Sequence, residues 1–180
     1  MKALILALNL MFAAVLGAAE SDGWIPVEKQ VADLAAGPRV TVVHFWAPWC
    51  PNCQAELAKN GWRDFLSVNR EINVIFVTVW NPEDGRAELA KHGLADQPNF
   101  QLLQHPNGAR KKEERMNRFL GQPVNWIPTT WIFKDGQLRY ALNYGEVRFP
   151  LLQQLVRDAA DGWDHSKPKA DAPAPATTTP

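Results

Sequence analysis

Two cysteines carry the chemistry available to this chain: Cys50 and Cys53, in Trp46-Ala47-Pro48-Trp49-Cys50-Pro51-Asn52-Cys53, directly after an apolar run over residues 40–45. A C-x-x-C that opens a helix after a strand is a place to make and break a disulfide. The attacking species must be a thiolate, and a helix N-terminus favours one through its unpaired N–H groups and dipole. Cys50, reachable at the strand-to-helix turn, is the candidate nucleophile. Cys53, one turn in and more covered, is the candidate resolving thiol. Helical i, i+3 spacing brings the two Cα atoms to about 5 Å, inside the disulfide range of roughly 4.4–6.8 Å. A purely structural bond is a weaker explanation, since so short a loop constrains the unfolded chain little. Pro51 and Asn52 tune the couple, where roughly 30 mV corresponds to about 1.4 kcal/mol, but their identity does not disclose the sign.

Other residues could serve that pair. Glu56 stands three residues after Cys53, on its side of the helix. It is either a base for Cys53, its pKa raised by desolvation, or a surface carboxylate paired with Lys59 or Asn60. Trp49 is expected to pack against the site and offer a flat apolar wall to a partner protein. Trp46, Trp80 and Trp131 are expected in the core, and Trp126 is either core or groove wall. Residues 110–118 carry five basic and two acidic side chains. Arg110 with Glu114, and Glu114 with Arg118, are i, i+4 pairs, so this stretch reads as a solvated helix face, with a docking surface for an acidic partner as the other reading. His92, His105 and His165 have no ligand spacing with one another, and His105-Pro106-Asn107-Gly108 reads as a turn.

Positioning the pair is a matter of the elements around it. Residues 21–37 hold a helical pattern ended by Gly37-Pro38. Residues 40–46 are β-branched and aromatic, which suits a strand buried on both faces. Pro51 begins a helix expected to run over residues 51–68. Residues 72–80 form a second buried strand and 82–92 the crossover helix of a parallel pair. Two strands, 129–133 and 137–144, flank Lys134-Asp135-Gly136 as a hairpin, and a helix over 146–160 closes an α/β sandwich with a mixed sheet.

The chain's ends differ from its middle. Lys2, an apolar stretch over 3–15 broken by Asn9, and small residues at Gly17 and Ala19 make residues 1–19 a secretory signal peptide. An uncleaved anchor is the alternative, at the short limit for roughly 30 Å of hydrocarbon. Residues 20–165 form one domain, and 166–180, rich in Pro, Ala and Thr, read as a disordered tail. With 19 basic and 19 acidic residues the chain has no general attraction to nucleic acid or anionic membrane.

Phe45-Trp46-Ala47-Pro48-Trp49-Cys50-Pro51-Asn52-Cys53 between strand and helix, with Ile127-Pro128-Thr129-Thr130 ahead of a hairpin, resembles the thioredoxin fold over about residues 24–162. Within it, the export signal, Glu56 and extra chain before Ile127 resemble the exported bacterial TlpA/ResA/DsbE-type thiol-disulfide oxidoreductases. The resemblance implies an α/β thioredoxin-like sandwich, its mixed central sheet flanked by helices, with an insertion before a cis-Pro hairpin. It implies catalytic Cys50, Cys53 and Glu56; substrate contacts from Trp49, Ile127 and a cis Pro128; and redox tuning by Pro51 and Asn52. The implied activity is periplasmic dithiol exchange with exported proteins, as a reductant supplied by a membrane-embedded donor. A disulfide-forming oxidant is the alternative of the same chemistry. A thiolate metal-delivery module is the alternative of another class, disfavoured because copper-handling relatives space their cysteines more widely and add a histidine. No cofactor, metal or nucleic acid is implied, and a monomer is expected. Three features depart from the family pattern. His44 stands where thioredoxins carry a buried acid, which makes it either a core histidine or a proton acceptor for Cys53. Residues 108–126 are longer than usual, and Trp126 replaces a glycine near Ile127, which argues against a role in cytochrome c maturation.

Overall fold

Thr41-Val42-Val43-His44-Phe45-Trp46 forms β1 (Thr41–Trp46), and all six residues are buried, as a β-branched and aromatic run at the centre of a sheet requires. The computed structural model describes residues 23–143 and 145–161; the expected signal at 1–19, His165 and the stretch 166–180 lie outside the described residues. Helix α1 (Pro26–Ala36) precedes β1. After it come α2 (Pro51–Ala58), α3 (Gly61–Val68), β2 (Asn73–Thr78), α4 (Arg86–Lys91), β3 (Phe100–Gln104), β4 (Arg118–Phe119), β5 (Gln122–Pro123), β6 (Thr129–Lys134), β7 (Gln137–Leu142) and α5 (Phe149–Ala160). The main sheet has the order β3-β2-β1-β6-β7. β1 is parallel to β2 and antiparallel to β6, so this is the mixed α/β sandwich expected from the element pattern.

Alternation along β1 sends its side chains to two cores. His44 meets Trp62 of α3 and Phe76 of β2, each with ring centroids 4.6 Å apart. Phe45 points the other way, to Trp131 at 4.6 Å and Phe119 at 5.1 Å. The hairpin turn lies at Asp135 and Gly136, with φ of 52° and 74°, the left-handed pair that an Asp-Gly turn supplies.

Three expectations about elements need correction. The helix expected over 51–68 is two helices, broken where Asn60 takes a left-handed φ of 54°. Asn tolerates that conformation better than other non-glycine residues. Gly61 then lets the chain pass close under Phe149 of α5. The stretch before the insertion forms a strand, β3, that alternation did not reveal: it is an edge strand, paired on one side and only partly buried. Residues 110–118 are not a helix. They lead into the short β4–β5 pair, whose Phe119 is fully buried and whose turn is tied to α1 by a Leu120 N–H to Glu28 Oε1 hydrogen bond of 2.7 Å. The insertion is therefore a packed part of the domain.

A methyl group at residue 61 would run into the Phe149 ring, which Trp62 and Phe65 already hold at 5.4 and 6.3 Å. Gly61→Ala should lower the free energy of unfolding by about 1–3 kcal/mol through overpacking. Urea unfolding followed by tryptophan fluorescence measures it; an unchanged midpoint would show that the ring moves aside at no cost.

Candidate active site

Cys50 ends the turn after β1 and is the N-cap of α2, with an extended backbone (φ −78°, ψ 118°) and Pro51 at the first helical position. Its Sγ takes the role a serine hydroxyl plays at other caps, accepting the Cys53 N–H at 3.3 Å. The two cysteines form a disulfide with a Cα–Cα distance of 5.2 Å. Across the sulfur stands the Ile127 carbonyl oxygen, 3.8 Å from Cys50 Sγ. The Ile127–Pro128 peptide is cis, and both residues are buried. Cys50 is only 3% exposed and Cys53 1%, so Cys50 is far less open than a strand-to-helix turn suggests. Pro51 and Asn52 are exposed, and the Gly145 backbone passes beside the Asn52 amide.

Glu56 is buried at 2%, against the reading as a surface carboxylate. Lys59 pairs instead with Glu146, 3.1 Å away. Trp62 Nε1–H donates to Glu56 Oε2 at 2.9 Å and the Val147 N–H to Oε1 at 2.5 Å. His44 Nε2 lies 3.2 Å from Oε2, and its Nδ1 meets the Thr130 hydroxyl at 2.9 Å. Burial pushes the Glu56 pKa up, but the His44 charge and the hydrogen bonds from His44, Trp62 and Val147 outweigh it and hold the carboxyl below its ordinary value. The raised pKa expected from desolvation alone is thus corrected. His44 is a core histidine that grips the carboxylate one turn along from Cys53.

The insertion builds the other side. Trp49 is half-buried, and its Nε1–H donates to the Trp80 carbonyl at 3.0 Å. Trp80 holds a left-handed φ of 56°, a conformation that costs a bulky residue about 1–2 kcal/mol. Its Nε1–H donates to the Met116 carbonyl at 2.8 Å. Arg110 lies over the Trp49 ring at 4.1 Å and Arg115 over the Trp80 ring at 3.9 Å, distances at which a cation is drawn to the indole face. Arg115 also donates to the Asn125 carbonyl at 3.0 Å, next to Trp126, which is 57% exposed. Trp46, Trp80 and Trp131 are in the core; Trp126 is not. Sequence spacing read residues 110–118 as a solvated helix face or a docking surface for an acidic partner, and did not foresee the stacking of Arg110 and Arg115 on the two indoles. Among the described residues no group of His, Cys, Asp and Glu side chains is placed to hold a metal ion, and no helix is long and apolar enough to cross a membrane.

The model of a thioredoxin-like domain matches residues 27–160. Among solved structures, a Neisseria meningitidis protein described as a thioredoxin is 23% identical, covering 72% of this chain and 80% of its own with a TM-score of 0.51. StoA of Bacillus subtilis is 20% identical over 66% of this chain and 82% of its own, with a TM-score of 0.44. A secreted Mycobacterium tuberculosis disulfide oxidoreductase is 17% identical over 69% and 84%, with a TM-score of 0.47. At these identities the likeness is one of fold. No curated protein matches the chain in sequence.

The Glu56 network predicts a pH dependence. Its folded carboxyl binds a proton less tightly than the unfolded one, whose reference pKa is 4.5. The unfolded chain therefore gains more protons as the pH falls, and the contribution, complete above that value, is lost below it through the lower folded pKa. Glu56→Gln should be less stable than the wild type at neutral pH and lose less stability on acidification. Denaturant unfolding between about pH 3 and 7 measures both; parallel curves for the two proteins would contradict the assignment.

Proposed function

Because the chain belongs to the thioredoxin-like domain family, we propose that it is a thiol-disulfide oxidoreductase of the exported TlpA/ResA/DsbE type, working as a reductant of exported proteins. The observation that carries this reading is the Cys50–Cys53 pair at the start of α2, with Cys50 Sγ as the helix cap. In the reduced protein the Cys53 N–H and the helix terminus favour a Cys50 thiolate. That thiolate attacks one sulfur of a partner disulfide, the partner S–S bond breaks, and the partner's other sulfur leaves as a thiolate. Cys53, once deprotonated, attacks Cys50 Sγ and releases the second partner thiolate. Two electrons pass to the partner, the two cysteine protons end on its thiols, and the Cys50–Cys53 disulfide remains.

Each site residue has a part in this cycle. Glu56, kept as a carboxylate, is the base on the Cys53 side. Trp49, Ile127 and Pro128 frame the sulfur, and the Ile127 backbone pairs with an extended partner segment. The small exposed area of Cys50 favours a disulfide presented on such a segment over one on a broad folded surface. Pro51 and Asn52 set the potential. Residues 1–19 direct the chain out of the cytoplasm and are cleaved, leaving residues 20–165 as a periplasmic, monomeric domain and 166–180 as a tail. A cycle that ends oxidised needs reducing equivalents, and in that compartment a membrane-embedded donor supplies them.

Insulin reduction at pH 7 by the wild type and two variants tests the exchange. Cys50→Ser should abolish turnover, while Cys53→Ser should stop after one step and hold a mixed disulfide, visible as added mass on the intact protein. Turnover that survives Cys50→Ser would overturn the reading.

A further inference from the structure

The surface beside Cys50 is cationic where an apolar wall was expected. Trp49 immediately precedes the sulfur, and its exposed face is covered by the Arg110 guanidinium. Arg115 covers Trp80, the residue whose carbonyl fixes the Trp49 indole. The same arginine holds the Asn125 carbonyl, two residues before Ile127, whose own carbonyl faces the disulfide. The insertion thus carries two guanidiniums to the rim of the site on indole platforms, which fix their position without consuming their charge. Among the described residues no carboxylate lies within ion-pair distance of either one.

The charge balance around them is positive. Lys111 pairs with Glu114 at 3.5 Å, and Arg118 donates to the Gly121 carbonyl, which leaves its charge in place. Lys112 is exposed, and Glu113 is the remaining acid of the stretch. Glu83 and Asp84 lie on the loop that reaches Pro48 through Gly85, but Asp84 is held by Arg86 at 3.4 Å. The chain as a whole has no net charge, so the excess is a local feature placed at the entrance to the disulfide.

We infer that Arg110 and Arg115, with Lys112, form a docking surface for partner segments that carry acidic residues beside the disulfide to be exchanged. The inference rests on the exchange activity proposed above and adds a substrate class to it. A carboxylate two to three residues from the partner cysteine would reach the guanidinium fork while its sulfur meets Cys50, so attraction and orientation act together.

Three disulfide-linked peptide dimers, alike except for Glu, Gln or Lys at the positions two and three residues from Cys, test it with the reduced full-length protein, read by the change in tryptophan fluorescence on oxidation. The acidic dimer should react fastest and the basic one slowest, with about tenfold between them at low salt. The spread should close as added salt shortens the screening length to about 3 Å near 1 M. Arg110→Gln combined with Lys112→Gln should reduce the ratio of acidic to uncharged rates several-fold, while Lys29→Gln on α1 should keep it. Equal rates for the three dimers, a faster basic one, or a ratio that survives the double variant overturns the docking surface while leaving exchange intact. A protein that reduces none of the dimers overturns the exchange reading and this inference with it.

Discussion

Placing the Glu56 carboxylate inside the protein is the constraint on which the rest of the structure turns. An ionised group taken from water costs several kcal/mol unless its oxygens are fully engaged, and here the partners come from three parts of the chain. β1 supplies His44, α3 supplies Trp62, and the segment before α5 supplies the Val147 N–H; Thr130 of β6 holds the far side of the His44 ring. Glu56 itself belongs to α2, the short helix that carries both cysteines. Satisfying one carboxylate therefore fixes the redox helix against the central sheet, α3 and the segment that leads into α5 together.

That arrangement leaves the two sulfurs in unlike surroundings. Cys50 is the cap of α2, with a backbone N–H aimed at it and the Ile127 carbonyl opposite. Cys53 is deeper, on the side of the Glu56 network. A nucleophile wants donors and a route to a partner, whereas a resolving thiol wants a base and shelter from premature reaction. The fold separates these needs by a single helical turn. On the outer side Trp80, just after β2 and left-handed in its backbone, holds Trp49, and the insertion brings arginines to the rim. Conformational cost stored at such a place is a recurrent mark of function.

What could be read in the residues beforehand divides along physical lines. Local pattern and turn chemistry were enough for β1, the start of α2, and the Asp135-Gly136 hairpin, because each depends on side-chain periodicity or on a backbone conformation that few residues adopt. The break between α2 and α3 was legible in Asn60-Gly61 but outweighed by an apolar stripe that continues across it. β3 was not legible, since an edge strand half open to solvent alternates weakly. Residues 110–118 misled because i, i+4 charge pairs fit a helix, while the arginines were in fact matched to indoles distant in sequence. His44 and Glu56 could each be singled out. Their contact could not, because it exists only once β1 and α2 have packed, and with it the direction of the Glu56 pKa reverses.

Reduction of a partner requires Cys50 and Cys53 to be a reversible couple poised to reduce. The most direct measurement is the equilibrium fraction of the disulfide in glutathione and dithiothreitol buffers of graded ratio, read by thiol alkylation and mass. A single two-electron transition, nearer to the value of about −270 mV typical of thioredoxin than to the −120 mV or so of a strong oxidant, is the predicted result. A couple at the oxidising end would contradict the reductant assignment, and a disulfide that neither glutathione nor dithiothreitol opens would contradict the exchange itself.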